Sequence, residues 1–281
     1  MKRSVRVYVL GSGSTGNALL VEAGGTRVLV EAGVAPKTVV SRLAELGVDL
    51  RPGELHGIIA THHHGDHFGH ANRLASVFAA PLFLHPGIDA MSSRPSRPLP
   101  SDDAPPSAGA GSVDVRPYDV GRPFTIGAIT VTTVAVPHDA AQVAIRLDDG
   151  HAALGVATDV GRVTSGLAGL LAECDAALVE ANHCTEMLAF SEYPDVVKRR
   201  VGGGWGHLSN EQTADLAGRL VGTRLARMWL GHLSRSNNTP ARALEAVSAR
   251  ARRIDVEVVP ESAPVAFELR STKPYQLGLP F

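Results

Sequence analysis

The chain of 281 residues holds only two cysteines, Cys174 and Cys184, which excludes the small secreted scaffolds that disulfides hold together and fits a reducing compartment. Aromatic residues are scarce at 5% of the sequence. Neither sign of charge prevails: the formal net charge is -1, so no global field draws the chain to nucleic acid or to an anionic membrane. Two local basic runs remain, Lys198-Arg199-Arg200 and Arg250 with Arg252 and Arg253, each readable as the solvated face of a helix. Long hydrophobic runs are missing as well. No stretch approaches the roughly 18 apolar residues of a membrane span. The apolar run Val5–Leu10 is short and broken by Arg6, so it does not read as a signal peptide. These absences lead to the expectation of a cytoplasmic protein with no membrane partner. What is present suffices for a core, with 44% hydrophobic and 20% charged residues.

Periodicity supplies the outline. Short apolar strands are expected at Val5–Leu10, Ala18–Ala23 and Thr26–Glu31, the last two joined by Gly24-Gly25, a hairpin signal. Pro36 opens a helical pattern to about Leu46. Gly57–Thr61 reads as a buried strand, followed by a helix over His70–Ala79 and a strand at Leu82–His85. Residues 92–112 are rich in Ser, Pro, Ala and Gly and read as a surface loop. Strands resume at Ile129–Val136, Gln142–Leu147 and Ala152–Thr158, then near Ala176–Glu180, Leu225–Leu230 and Val256–Val259. Ser209 with Gln212 forms a capping-box pattern, and Thr239-Pro240 places an N-cap before an N1 proline. Meanders of strands followed by helices predict two packed sheets with helices outside, in one domain spanning 1–281.

One segment dominates: Thr61-His62-His63-His64-Gly65-Asp66-His67. Imidazole and carboxylate are the ligands of zinc, manganese and iron. Four such groups in six residues, directly after an apolar strand, cost several kcal/mol (about 2 or more each) to bury unpartnered. A metal cluster resolves that cost. Further candidate ligands stand where strands end: His138 in Val-Pro-His-Asp, Asp159 in Ala-Thr-Asp-Val-Gly and His232 in Leu-Gly-His-Leu-Ser.

The H-x-H-x-D-H run followed by His, Asp and His at strand ends resembles the metallo-β-lactamase superfamily over nearly the whole chain. Within it the chain is similar to the YycJ/WalJ-type proteins. The matching stretches are Gly11-Ser12-Gly13-Ser14-Thr15-Gly16-Asn17, Ala157-Thr158-Asp159, Glu180-Ala181-Asn182-His183, Gly206-His207-Leu208-Ser209-Asn210 and Leu230-Gly231-His232-Leu233-Ser234 with Asn237-Asn238. The resemblance implies an α/β fold, the αββα four-layer sandwich. It also implies two divalent metal ions, zinc or manganese with iron admissible: one on His62, His64 and His138, the other on Asp66, His67 and His232, bridged by Asp159. A hydroxide between them would be the nucleophile. Glu31 stands where the family commonly has Asp and is expected behind the ligands rather than among them. Cys184, where an acidic residue is expected, reads as a buried thiol. His63, lying between His62 and His64, is expected to point away.

Gly11 to Gly16 matches G-x-G-x-x-G, but the residues after it read as a hairpin and not as the helix a dinucleotide site requires. His207 precedes a helix start, where free amides favour an anion, and Glu180 ends a strand. The tRNase Z relatives resemble this arrangement. The resemblance implies phosphodiester hydrolysis of nucleic acid, a 5′-to-3′ DNA exonuclease linked to DNA repair, with Asp66, His207 and Glu180 catalytic. An RNA-processing or cyclic-nucleotide phosphodiesterase and a lactam or thioester hydrolase stay open, as does a homodimer.

Overall fold

The structure, a computed structural model, describes residues 4–88 and 113–271; the loop expected at 92–112 lies outside the described residues. The first half comprises β1 (Val5–Gly11), β2 (Ala18–Ala23), β3 (Thr26–Val30), α1 (Pro36–Glu45), β4 (Gly57–Ile59), α2 (Gly65–Phe68), α3 (Ala71–Phe78), β5 (Leu82–Leu84) and β6 (Val115–Pro117). The second begins with β7 (Phe124–Ile126), β8 (Ile129–Val136), β9 (Gln142–Asp148) and β10 (Ala153–Ala157). It continues through α4 (Ser165–Ala172), β11 (Ala176–Glu180), α5 (Thr185–Ala189), α6 (Asp195–Val201) and α7 (Asn210–Leu220). β12 (Arg227–Gly231), α8 (Pro240–Ser248), β13 (Asp255–Val258) and β14 (Val265–Leu269) complete the described chain.

Alternation along the strands builds two packed layers. Val5, Val7 and Val9 of β1 enter a core shared with Val131, Ile145, Leu154 and Trp229 of the other sheet. Tyr8 and Leu10 turn to the opposite face and pack with Val39, Leu43, Leu74 and Phe78 of α1 and α3. The second sheet does the same with Val179, Met228 and Leu230 against Leu167, Leu171, Leu216 and Val247 of α4, α7 and α8. The result is the expected helix–sheet–sheet–helix sandwich. Trp229 is buried between the sheets and stacks on Phe267 with ring centroids 4.2 Å apart.

Among the described residues both sheets have seven strands, in the orders β14-β1-β2-β3-β4-β5-β6 and β13-β12-β11-β10-β9-β8-β7. Each joins an antiparallel meander to parallel strands: β3–β4–β5–β6 in one, β10–β11–β12–β13 in the other. The β2–β3 hairpin turns on Gly24 and Gly25, with φ of 56° and 80°, the left-handed values that two-residue hairpin loops of this kind need. Parallel strands deliver their carboxyl ends to one edge, where sheets of this kind bind ligands.

Expected boundaries shift by a residue or two, and the shifts have a cause. β3 stops at Val30, not Glu31, because Glu31 takes φ 68°. β4 stops at Ile59, where the chain leaves the sheet for the histidine run. β12 covers Arg227–Gly231 rather than Leu225–Leu230, and the chain leaves it at His232, φ 53°. Both helix-start signals hold: Ser209 and Gln212 close a capping box, and Thr239 accepts from the Arg242 amide.

Candidate metal centre

The site is assembled at the seam of the two sheets, from the loops after β3, β4, β8, β10, β11 and β12. Glu31 (φ 68°), Asp159 (φ 54°) and His232 (φ 53°) are non-glycine residues in left-handed backbone just beyond strand ends. Such conformations cost about 1–3 kcal/mol each and persist where the surroundings impose them. Here they turn three side chains over the edge of their sheets.

Every residue expected to hold metal arrives at one place. His62, His64, His138 and Asp159 have ligand atoms within 4.8 Å of one another, and so do Asp66, His67 and His232. Asp159 stands between the groups, with Oδ2 3.2 Å from His62 Nε2 and 2.7 Å from His67 Nε2, and Oδ1 3.1 Å from His232 Nδ1. His64 Nδ1 lies 3.3 Å from His138 Nε2, and His67 Nε2 and His232 Nε2 each lie 3.5 Å from Asp66 Oδ2.

The outer ring nitrogens have their own partners, which sets the orientation of each imidazole. His67 Nδ1 is 3.1 Å from Glu31 Oε1, and Glu31 also accepts from the Thr61 hydroxyl. His62 Nδ1 meets Thr61 Oγ1 at 3.1 Å, and His138 Nδ1 donates to the Gly206 carbonyl at 3.0 Å. His64 is turned the other way round: Nε2 faces Asp139 at 3.4 Å, leaving Nδ1 inward. Glu31 therefore stands behind His67, as its place in Glu31-Ala32-Gly33 led us to expect.

The donor set fits a divalent cation. His62 Nε2 and His232 Nε2 are buried without a hydrogen bond, a cost that folded proteins seldom leave uncompensated. Burial lowers the pKa of His62, His64 and His138 and so favours the neutral imidazole that ligates metal. Burial disfavours the Asp159 anion, but His232 and His67 outweigh it and hold the carboxyl well below its usual range.

Glu180 and His207 form a second tier. Glu180 is fully buried; its Oε1 accepts from the amides of Val160 (2.5 Å) and Leu208 (3.0 Å). Oε2 faces His207 Nδ1 at 3.1 Å and His232 Nδ1 at 3.4 Å. Burial raises the Glu180 pKa, yet the His207 charge and the hydrogen bonds from His207 and His232 prevail and bring it to about 2. Burial lowers that of His207, but Glu180 and Asp159 push it to about 10. Glu180 thus reaches the site only through other side chains, whereas His207 lines a cavity of about 370 Å³ together with His64, Asp66, Asp159 and His232. A hollow of about 520 Å³ at the amino ends of β11 and β12, beside Ala176 and Arg227, carries no such cluster.

The expected anion site at the start of α7 is not formed. The Asn210 amide is taken by the His183 carbonyl and the Gln212 amide by Ser209 Oγ, and Ser209 and Asn210 are buried. His207 reaches the cavity by its ring alone. His183 lies in the core, with its carbonyl used by Asn210, and Cys184 is a buried thiol 3.2 Å from Arg242 Nη1.

Sequence reading missed several contributors. Asp139 touches His64 and His138 and pairs with Arg200 at 2.7 Å; its place next to His138 was the available signal. Ser12 Oγ accepts from the His232 amide at 3.0 Å, and Asn17 Nδ2 reaches the Asp66 carbonyl and His67 Nε2 at 3.2 and 2.9 Å. The glycine-rich Gly11–Gly16 run is thus a buttress of the candidate metal centre, followed by the β2–β3 hairpin as expected.

A family model described as the beta-lactamase superfamily domain matches residues 26–233. The chain is 33% identical over 235 residues to exodeoxyribonuclease WalJ of Streptococcus pneumoniae, covering 82% of each chain. It is 30% identical over 243 residues to exodeoxyribonuclease YycJ of Bacillus anthracis, covering 85% of this chain and 86% of that one. Among solved structures, the metallo-beta-lactamase fold protein YhfI from Bacillus subtilis superposes with a TM-score of 0.69 at 16% identity, over 94% of this chain and 99% of that one. Fold, site and sequence agree: the chain belongs to the beta-lactamase superfamily and, within it, to the group of WalJ- and YycJ-type proteins.

Proposed function

We propose that this protein is a metal-dependent phosphodiesterase that removes nucleotides from DNA, working from the 5′ end towards the 3′ end, with a role in DNA repair. His62, His64, His138 and Asp159 would hold one ion, and Asp66, His67 and His232 the other, Asp159 touching both groups. When bound, zinc or manganese supplies a nucleophilic water of lowered pKa, about 7 on zinc, and charge to stabilise the attacked phosphate.

The observation that carries the reading is His207. Its Nδ1 is held 3.1 Å from both Glu180 and Asp159, two anions that favour the protonated ring, while the ring itself borders the cavity. An imidazolium in that position has a proton on Nε2 to give. As water adds to phosphorus and the bond to the 3′ oxygen breaks, the His207 proton passes to that oxygen. The products are a free 3′ hydroxyl and a 5′ phosphate. Glu180 keeps the ring oriented and cationic. The names of the two bacterial relatives, exodeoxyribonucleases both, support DNA as the polymer. Both cysteines are buried and unpaired, as in a reducing cytoplasm. Among the described residues no helix is long and apolar enough to cross a membrane.

The test uses end-labelled DNA and matched RNA with metal-depleted protein restored by manganese or zinc. Stepwise release of 5′-terminal nucleotides from DNA, lost in Asp66→Ala and slowed in His207→Ala, is the expected outcome. No cleavage by protein shown to contain metal refutes the nuclease reading, and RNA cleavage alone refutes the choice of DNA.

A further inference from the structure

Of the two basic runs in the sequence, Arg250 pairs with Asp215 beyond the far end of α8. The other opens on the cavity. No residue of α6 is buried, and Asp195, Val196, Arg199 and Arg200 are exposed. Among the described residues Lys198 gives its ammonium only to the Ala189 carbonyl, at 2.7 Å, and Arg199 makes no ion pair. Arg200, with Tyr193 just before the helix, lines the cavity.

Two large rings flank this helix along the chain and stand in water. Phe190 is 86% and Trp205 59% exposed, in a chain with only two tryptophans. Leaving such faces wet forfeits about 25 cal/mol for each Å² of apolar surface. Trp205 is nevertheless fixed. The Arg162 guanidinium lies over its ring, 5.3 Å from the centroid. The neighbouring Gly206 donates to the Gly203 carbonyl at 2.9 Å, and its own carbonyl receives His138 Nδ1. A Cβ on Gly206 would fall 2.0 Å from the Arg200 carbonyl, so only glycine allows the loop to close on α6. The ring therefore stands next to the carbonyl that orients His138 and two residues from His207.

We propose that α6 and the Trp205 loop form a track for single-stranded DNA leading into the cavity. A base stacks on the free face of Trp205, backed by Arg162, and Lys198 and Arg199 meet the adjoining phosphates. Stacking on an aromatic ring needs a base whose face is exposed, which a duplex interior does not offer, and rings alternating with cations are the means by which proteins hold unpaired strands. A protein partner covering the rings would leave two cations without anions. The track rests on the nuclease reading and gives it a substrate form, a strand with an unpaired end.

The full chain in EDTA, which prevents hydrolysis, is titrated with a 5′-phosphorylated oligothymidylate while tryptophan emission is followed. Trp229 is 1% exposed, so solvent-facing emission reports Trp205. The single strand is expected to quench it and a blunt duplex is not. Trp205→Ala should weaken binding about tenfold, near the low end of one stacked base, with circular dichroism unchanged, and Trp205→Phe should restore most of it. Removing both Lys198 and Arg199 should flatten the log–log salt slope by about 1.4, some 0.7 for each phosphate of the single strand that no longer meets a cation. Arg252→Ala, on the other basic run, should bind as the parent does. Absence of quenching, or tight binding by Trp205→Ala, overturns the track even if the parent degrades DNA. Quenching with the tenfold loss, in a metal-loaded parent that degrades no DNA, keeps the track and refutes the nuclease reading instead.

Discussion

Glu180→Gln keeps the volume of a fully buried side chain and removes its charge. The carboxylate accepts from four donors: the Val160 and Leu208 amides on one oxygen, His207 Nδ1 and His232 Nδ1 towards the other. A glutamine has one oxygen to offer. With it turned to the amides, its own NH2 faces the imidazoles, and His207 keeps only Asp159 to favour its Nδ1 proton and positive charge. Bringing the Glu180 pKa from 4.5 to about 2 corresponds to about 3 kcal/mol of interaction. Breaking a buried pair costs about 3–5 kcal/mol, so the metal-free variant should lose about 3 kcal/mol in a urea titration. In the metal-loaded enzyme, altering a residue that orients ligands costs about 10- to 100-fold in affinity or rate. The diagnostic readout is the pH profile of kcat. His207 works as an acid, so activity falls as pH rises through its pKa. Without the Glu180 anion that pKa drops, and the alkaline limb should move to lower pH. A variant that loses stability but keeps both kcat and its alkaline limb would refute the reasoning and leave Glu180 a purely architectural residue.

Three further outcomes follow from other parts of the molecule. Glu31→Ala frees His67 Nδ1 and the Thr61 hydroxyl from their shared acceptor, and calorimetry should show manganese or zinc binding weaker by about 10- to 100-fold; unchanged affinity would remove Glu31 from the metal centre. In the metal-free chain the folded Glu180 pKa is depressed, so its stabilisation is complete above pH 4.5 and is lost as pH falls towards 2. The urea midpoint should decline across that window in the parent and less steeply in Glu180→Gln. Trp229→Ala opens a cavity between the sheets opposite Phe267 and should cost about 3–5 kcal/mol; a loss below about 1 kcal/mol would show that the sheets do not depend on that stack.

The cluster of candidate ligands was legible because its residues are written in adjacent letters. His62, His64, Asp66 and His67 follow one strand, and His138, Asp159 and His232 each follow another, so strand prediction and residue type together singled them out. The sandwich was legible from alternation, and the capped helix starts from their side chains. What escaped was set by contacts far apart in sequence. Ser12 meets the His232 amide across 220 residues, and β14, half exposed along its length, pairs with β1 at the opposite end of the chain. The shared strand plan of the two sheets leaves no repeat in the sequence. Strand ends misread by a residue coincide with left-handed Glu31 and His232, a conformation that hydrophobic pattern does not encode.

The seam location of the site has a thermodynamic consequence. One sheet's loops bring His62, His64, Asp66 and His67, and the other's bring His138, Asp159 and His232. A cation held by both sets would bind the docked sheets and not the separated ones, and so would act as a clasp. By mass action, free ion at 100 times its dissociation constant adds about 2.7 kcal/mol to the docked state. Starved of metal, the protein would lose its chemistry and its clasp together and become the better substrate for proteases, so its abundance in the cell would follow the metal supply.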